Sequence, residues 1–237
     1  MRIVCLAARK TKIDLIILIL LAVVLLLLFW REISANAHPA IRPGLPLSRK
    51  TIVIDPGHGG YDPGVSAGSL KEKDITLAIS LALRDCLQAA GAKVVMTREG
   101  DYDLLSLPAA GPKKRQDMEH RKQIIDAANP DLVVSIHVNS ISSSRWSGSQ
   151  VFYCDDSSEG KRLALILQEE LARVLKNTDR QAKPGNYFIL NESPAPAALV
   201  EAGFLSNRKE GRLLADKRYQ AKVAWAVFLG INRYFTE

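Results

Sequence analysis

The sequence predicts an α/β fold, one domain with a mostly parallel central sheet and helices on both faces, preceded by an N-terminal membrane segment. Three observations predict it. Short apolar, β-branched runs alternate with longer stretches of helical spacing, which is the pattern of strands joined by crossover helices. Gly, Pro and Asn punctuate the boundaries between them. Ahead of all this, Leu15 to Trp30 is an unbroken run of 16 apolar residues, and nothing later in the chain is comparable.

The elements follow in order. Arg2, Arg9, Lys10 and Lys12 flank the apolar run on its N-terminal side, and Arg31-Glu32 follow it. By the positive-inside tendency, the N-terminus stays in the cytoplasm and the rest of the chain lies beyond the membrane. Residues 1–34 are therefore expected to form a cytoplasmic flank and transmembrane anchor or signal segment. An uncleaved single-pass anchor in the cell membrane is favoured, and secretion after cleavage at Ala35-Asn36-Ala37 is the alternative. Residues 35–49, rich in Pro and small residues, are expected as a linker, and residues 50–237 as the single folded domain. Thr51 to Asp55 reads as a buried strand ending at Pro56-Gly57, and Lys73 to Ala90 as a helix with Ile75, Ile79, Ala82 and Leu83 on one face and Gly91 as its stop. Lys93 to Thr97 is a further strand, Glu99 to Lys114 a loop and Arg115 to Ala128 a helix before Asn129-Pro130. Leu132 to Val138, Ser149 to Cys154, Tyr187 to Leu190 and Ala197 to Leu205 read as strands. Glu159 to Leu175 and Lys217 to Tyr234 read as helices.

Composition narrows the function classes. The 237 residues carry 32 basic and 25 acidic side chains, a net charge of +7, but four of those bases and one acid precede Trp30. The remainder is thus only mildly basic, at +4, which argues against a dedicated nucleic-acid binder. Regular apolar runs to the C-terminus exclude intrinsic disorder. The three cysteines make no disulfide framework: Cys5 precedes the apolar run, and Cys86 and Cys154 are expected as structural thiols. His38 and His120 are expected in the linker and on a helix surface, and Lys113-Lys114-Arg115 in a solvated loop.

Ligands of open α/β sheets bind beyond the carboxyl ends of the strands. Three polar groups fall there: His58 after the first strand, His137 near the end of Leu132 to Val138, and Glu201 within the apolar run that starts at Ala197. Glu72, at the start of the first helix, is a fourth. Singly each has a plainer reading. His58 fits a glycine-rich turn, His137 a satisfied core histidine and Glu72 an acid favoured by the helix dipole. Glu201 fits a buried salt bridge as well as a working acid. Together they suit metal-assisted hydrolysis, because two imidazoles and a carboxylate can hold zinc while a further carboxylate acts as general base. The spacing, 14 residues from His58 to Glu72 and 65 from there to His137, matches no compact helical zinc motif.

Four segments carry a more specific signal. Ile54-Asp55-Pro56-Gly57-His58-Gly59-Gly60, Leu70-Lys71-Glu72-Lys73-Asp74, Ser135-Ile136-His137-Val138-Asn139 and Val200-Glu201-Ala202-Gly203-Phe204-Leu205-Ser206-Asn207 occur in this order. They resemble the signatures of the zinc-dependent N-acetylmuramoyl-L-alanine amidases of the type 3 amidase family, from about Lys50 to the C-terminus. The resemblance implies that His58, Glu72 and His137 hold one Zn2+ ion with water as fourth ligand, that Glu201 is the catalytic acid/base, and that peptidoglycan is the substrate. It implies hydrolysis of the amide between the lactyl group of N-acetylmuramic acid and L-alanine. Trp146 to Gln150 with Phe152-Tyr153, Asn177 to Lys183, Arg233 to Glu237 and the N-terminal anchor are similar to the sporulation-associated, germination-specific members, which allow muramic lactam to form in spore cortex. Val138 stands where the family often carries Ala, and no inserted inhibitory helix or wall-binding repeat is evident, so targeting and control are expected to come from the anchor or from an activating or targeting protein partner. The alternatives are another zinc-dependent wall peptidase or deacetylase, or a non-catalytic anchored wall-binding module.

Overall fold

The computed structural model describes residues 44–106 and 111–237, and in the N-terminal segment only the helical residues 20, 21, 23 and 24. Most of the apolar run Leu15 to Trp30, and with it the expected anchor, lies outside the described residues. Among these, no helix is long and apolar enough to cross a membrane.

From Lys50 onward, strands and helices alternate as the patterning predicts. The strands are β1 (Thr51–Pro56), β2 (Ser66–Ala67), β3 (Leu70–Lys71), β4 (Lys93–Met96), β5 (Leu132–Asn139), β6 (Gln150–Tyr153), β7 (Lys183–Pro184) and β8 (Ala197–Phe204). The helices are α1 (Glu72–Ala89), α2 (Lys113–Ala128), α3 (Ser158–Leu175), α4 (Phe188–Asn191), α5 (Arg208–Leu214) and α6 (Lys217–Thr236). Six strands form the central sheet in the order β4-β1-β5-β8-β6-β7. β4, β1, β5 and β8 are mutually parallel, and β6 runs antiparallel to β8. β2 and β3 make a separate antiparallel pair leading into α1.

Alternate residues of the strands feed two cores, as a period of two requires. Ile52, Ile54, Val134, Ile136 and Val200 pack with α1, α3 and α6 through Ile79, Leu83, Leu167 and Val227. Val53, Val133 and Leu199 face the opposite way and pack with Ile125 of α2 and Ile189 and Leu190 of α4. The chain steps from β1 outward to β4 through α1, then back past β1 to β5 through α2. With right-handed crossovers, that reversal puts α1 and α2 on opposite faces and opens a crevice where β1 and β5 end.

Several expectations change. Tyr187 to Leu190 is not a strand: a four-residue apolar run is too short for periodicity to decide, and Phe188–Asn191 forms a helical turn. Residues 44–49 do not behave as a free linker, because they form turns and Leu47 is fully buried, with its backbone N–H donating to Ala90 O. Lys113 to Arg115 opens α2 rather than lying in a loop. His120 is partly buried, with Nδ1 bonded to Leu104 O. Cys86 and Cys154, by contrast, are free thiols as expected.

Candidate metal centre and catalytic crevice

The crevice holds all four sequence-predicted residues. β1 ends at Pro56, and a turn through Gly57 brings His58 over the sheet edge with a left-handed backbone, φ 62°. His137 stands near the end of β5 on the face shared with Val133 and Ser135. Glu72 is the first residue of α1 and is almost fully buried.

His58, Glu72 and His137 each offer a ligand atom, and these atoms lie within 4.8 Å of one another. Glu72 Oε1 sits 3.2 Å from His58 Nε2 and 3.0 Å from His137 Nδ1. Its carboxylate is held in place by backbone donors, Val65 N–H to Oε2 at 2.9 Å and Val138 N–H to Oε1 at 3.0 Å. His58 Nδ1 donates to Asp62 Oδ2 at 2.9 Å, which orients the ring and leaves Nε2 facing the cluster. Asp62 in turn accepts from Gly64 N–H at 3.0 Å.

The titration behaviour follows from these contacts. Burial opposes ionisation of Glu72, but His137 and His58 outweigh it and hold the carboxyl well below the usual carboxylate range. Burial also disfavours the His58 cation, yet Glu72 and Asp62 raise its pKa. Such a knot of nitrogens around one carboxylate oxygen is a place where positive charge is welcome.

The residues present fit a metal. Two imidazoles and a carboxylate are the donor set of catalytic zinc sites, which keep the remaining position open. Close backbone approach supports the same geometry. A Cβ on Gly57 would lie 2.4 Å from His137 Cε1, and one on Gly64, φ 64°, only 2.5 Å from Glu72 Oε2. Both positions therefore exclude a side chain.

Glu201 completes the cluster from β8. In the parallel pairing of β5 and β8 it is the register partner of His137, so the two side chains share a face at the ~4.8 Å spacing of neighbouring strands. Glu201 is 8% exposed, and its Oε2 has no hydrogen-bond partner among the described residues. Glu201 makes no salt bridge among the described residues, so the expected alternative of a buried ion pair is not found there. Burial pushes its pKa up to about 7; His137 and His58 pull against this and Glu72 adds to it.

Two hollows meet at the cluster. One of about 420 Å³ reaches Glu72, Asn139, Ser140 and Glu201. The other, about 370 Å³, runs along Met118, Tyr187, Phe188 and Ile189, with Lys114 beside both.

Sequence reasoning missed Asp62, Arg98 and Arg121. The Asp62-Pro63-Gly64 turn four residues after His58 was the available signal for the first. The spacing Asp117, Arg121, Ile125 on the one buried face of α2 was the signal for the last.

Comparison with known proteins agrees with the motifs. The family model described as N-acetylmuramoyl-L-alanine amidase matches residues 52–233. Over 220 residues the chain is 45% identical to the germination-specific N-acetylmuramoyl-L-alanine amidase of Bacillus subtilis, covering 91% of this chain and 92% of that one. The CwlD amidase of Clostridioides difficile, solved in complex with the GerS lipoprotein, superposes with a TM-score of 0.76 at 42% identity, covering 78% of this chain and 98% of its own. The catalytic domain of the CwlV amidase from Bacillus (Paenibacillus) polymyxa var. colistinus gives 0.68 at 31% identity, covering 78% and 97%. The four motifs, the crevice they build and these likenesses agree, and the chain belongs to the N-acetylmuramoyl-L-alanine amidase family.

Proposed function

We propose that this amidase is zinc-dependent and hydrolyses the amide between the lactyl group of N-acetylmuramic acid and L-alanine in peptidoglycan, in the maturation of spore cortex. The observation that carries it is the pairing of His58 and His137, gathered on the buried Glu72 carboxylate, with an unpartnered carboxylate oxygen of Glu201 on the next strand.

In this reading His58, Glu72 and His137 hold the ion. When bound, zinc supplies a Lewis acid that polarises the scissile carbonyl and lowers the pKa of water from ~15.7 towards ~7. Glu201 does the proton work. Its free Oε2 takes a proton from the attacking water and returns it to the departing amine of L-alanine. A pKa of about 7, raised by burial against the opposing pull of His137 and His58, lies near the operating range of such an acid/base. Asp62 holds the His58 ring, and the backbone N–H groups of Val65 and Val138 hold the Glu72 carboxylate. No nucleophilic side chain is needed, so Cys86 and Cys154 take no part.

Similarity to a germination-specific enzyme over most of the chain supports the cortex role, with muramic lactam formed after stem removal. A wall substrate fits the N-terminal pattern, which favours a membrane-anchored enzyme with its catalytic domain outside the cytoplasm. The lipoprotein bound to the CwlD amidase supports a protein partner here as well.

Substitution of the proposed base tests the mechanism. Glu201→Gln is expected to keep the wild-type zinc content while lowering kcat by about 10²- to 10⁴-fold. Undiminished hydrolysis by that variant would remove Glu201 from the reaction.

A further inference from the structure

Arg98 and Arg121 are 1% and 2% exposed, and between them their guanidinium groups bond three consecutive backbone carbonyls, those of Pro56, Gly57 and His58, with Pro56 O shared by both. Arg121 reaches down from α2. Its Nη1 donates to Pro56 O at 2.8 Å and its Nη2 to His58 O at 2.6 Å. Arg98 follows β4 and approaches from the other side. Its Nε donates to Pro56 O at 3.0 Å and its Nη2 to Gly57 O at 2.8 Å. Thr76 of α1 adds a hydroxyl donor to Gly57 O at 2.8 Å and itself accepts from Arg98 Nη2 at 3.1 Å.

Burying two guanidinium groups side by side is costly unless every donor is used. Arg121 is compensated by Asp55 at 2.8 Å and Asp117 at 2.7 Å. Arg98 has no such ion pair among the described residues; its other partners are the carbonyls of Lys73 and Gly100. A core stabilised for its own sake would gain more from apolar residues of similar volume. What the pair secures instead is the turn from Pro56 to His58, including the left-handed backbone that a histidine adopts only at a cost.

We propose that Arg98 and Arg121 are positioning residues for the metal centre, fixing the carbonyls of residues 56–58 so that the His58 ring converges on Glu72 and His137 before any ion arrives. The clamp joins α1, α2 and the loop after β4 to a single ligand-bearing turn. Arg121 approaches from the face of the smaller core, and Thr76 from the opposite side of the sheet. This inference rests on the reading of His58, Glu72 and His137 as metal-holding residues.

Zinc affinity of the full chain, measured by competition with a chromophoric chelator well below the melting temperature, tests it. Lysine in place of Arg121 keeps a charge near Asp55 and Asp117 but cannot reach four acceptors in a plane. Arg121→Lys is expected to weaken zinc binding by about 10- to 100-fold, and the milder Thr76→Val by about 5-fold. Leu83→Ala, which cuts the core behind α1 away from the turn, should lower the melting temperature yet leave zinc affinity within about twofold. Wild-type affinity in both Arg121→Lys and Thr76→Val would overturn the clamp while leaving the metal site standing. If Arg121→Lys does not fold, Thr76→Val decides, and unchanged affinity there overturns the proposal. Absence of zinc binding by the wild-type chain would remove the metal site and the clamp's purpose together.

Discussion

Gly57→Ala probes the centre with the smallest addition available. Gly57 does not have a positive φ, so an alanine meets no backbone strain, and its whole effect falls on the neighbouring ring. The new Cβ would stand 2.4 Å from His137 Cε1 and 2.6 Å from both ring nitrogens. Ordinary contact begins at 3.4 Å, so ring and methyl must separate by about 1 Å. Neither has a free path. Gly57 N–H is tied to Ile136 O at 2.9 Å, Gly57 O is held by Arg98 and Thr76, and the His137 ring faces the His58 ring at 5.1 Å between centroids. A displacement of that size at a reacting centre costs on the order of 100-fold in rate, and overpacking adds about 1–3 kcal/mol of instability. The assay is kcat/KM on a defined muropeptide, with zinc titration and thermal melting in parallel. Activity within about threefold of wild type would refute the tight seating of His137 on Gly57.

Two further predictions follow from buried groups. Burial alone would raise the pKa of Asp55, but Arg121 and the hydroxyls of Thr97 and Ser135 outweigh it and lower it to about 2. Because the folded value lies below the unfolded value of 3.8, this stabilisation is complete above pH ~4 and is lost as pH falls towards 2, roughly 2 to 3 kcal/mol in all. Urea unfolding at pH 6 and pH 3 should show about half of that loss, roughly 1 kcal/mol, in the wild type and a smaller one in Asp55→Asn; equal losses would remove Asp55 as the cause. The Cys86 thiol is pushed up by burial, and Cys86 and Cys154 are unpaired. Reductant should therefore leave the melting temperature within about 1 °C, and Cys86→Ser should hydrolyse substrate within about twofold of wild type. A melting temperature that drops on reduction would point to a disulfide instead.

Long periodic segments were legible in the sequence and short or polar ones were not. The strand at Thr51 to Asp55 and the helix starting near Glu72 are continuous apolar patterns, and they appear within a residue or two of their expected ends. The strand expected at Tyr187 to Leu190 became a helical turn because four residues cannot express a period, and tertiary packing of Ile189 and Leu190 decided it. The β2–β3 pair was missed because two-residue strands carry no pattern at all. At the site, His58, His137 and Glu201 could be singled out because they fall toward the carboxyl ends of strands, and Glu72 because it opens the first helix a loop away from His58; the four motif segments then tied them together. Arg98 and Arg121 escaped notice because an arginine near a helix or loop ordinarily reads as surface, and only the folded chain shows both under the turn that carries His58. Asp62 was hidden in the same way, since its value lies in a single hydrogen bond to an imidazole.

The most direct test of the proposed reaction is mass spectrometry of the products formed from a defined disaccharide–peptide fragment in 18O-labelled water. The crevice predicts a peptide with a free L-alanine amine and a muramic acid whose lactyl carboxylate carries one 18O atom, a product lost in Glu201→Gln. Label in a carboxylate of the stem peptide, or in acetate released from the N-acetyl group, would contradict it and make the chain a wall peptidase or a deacetylase.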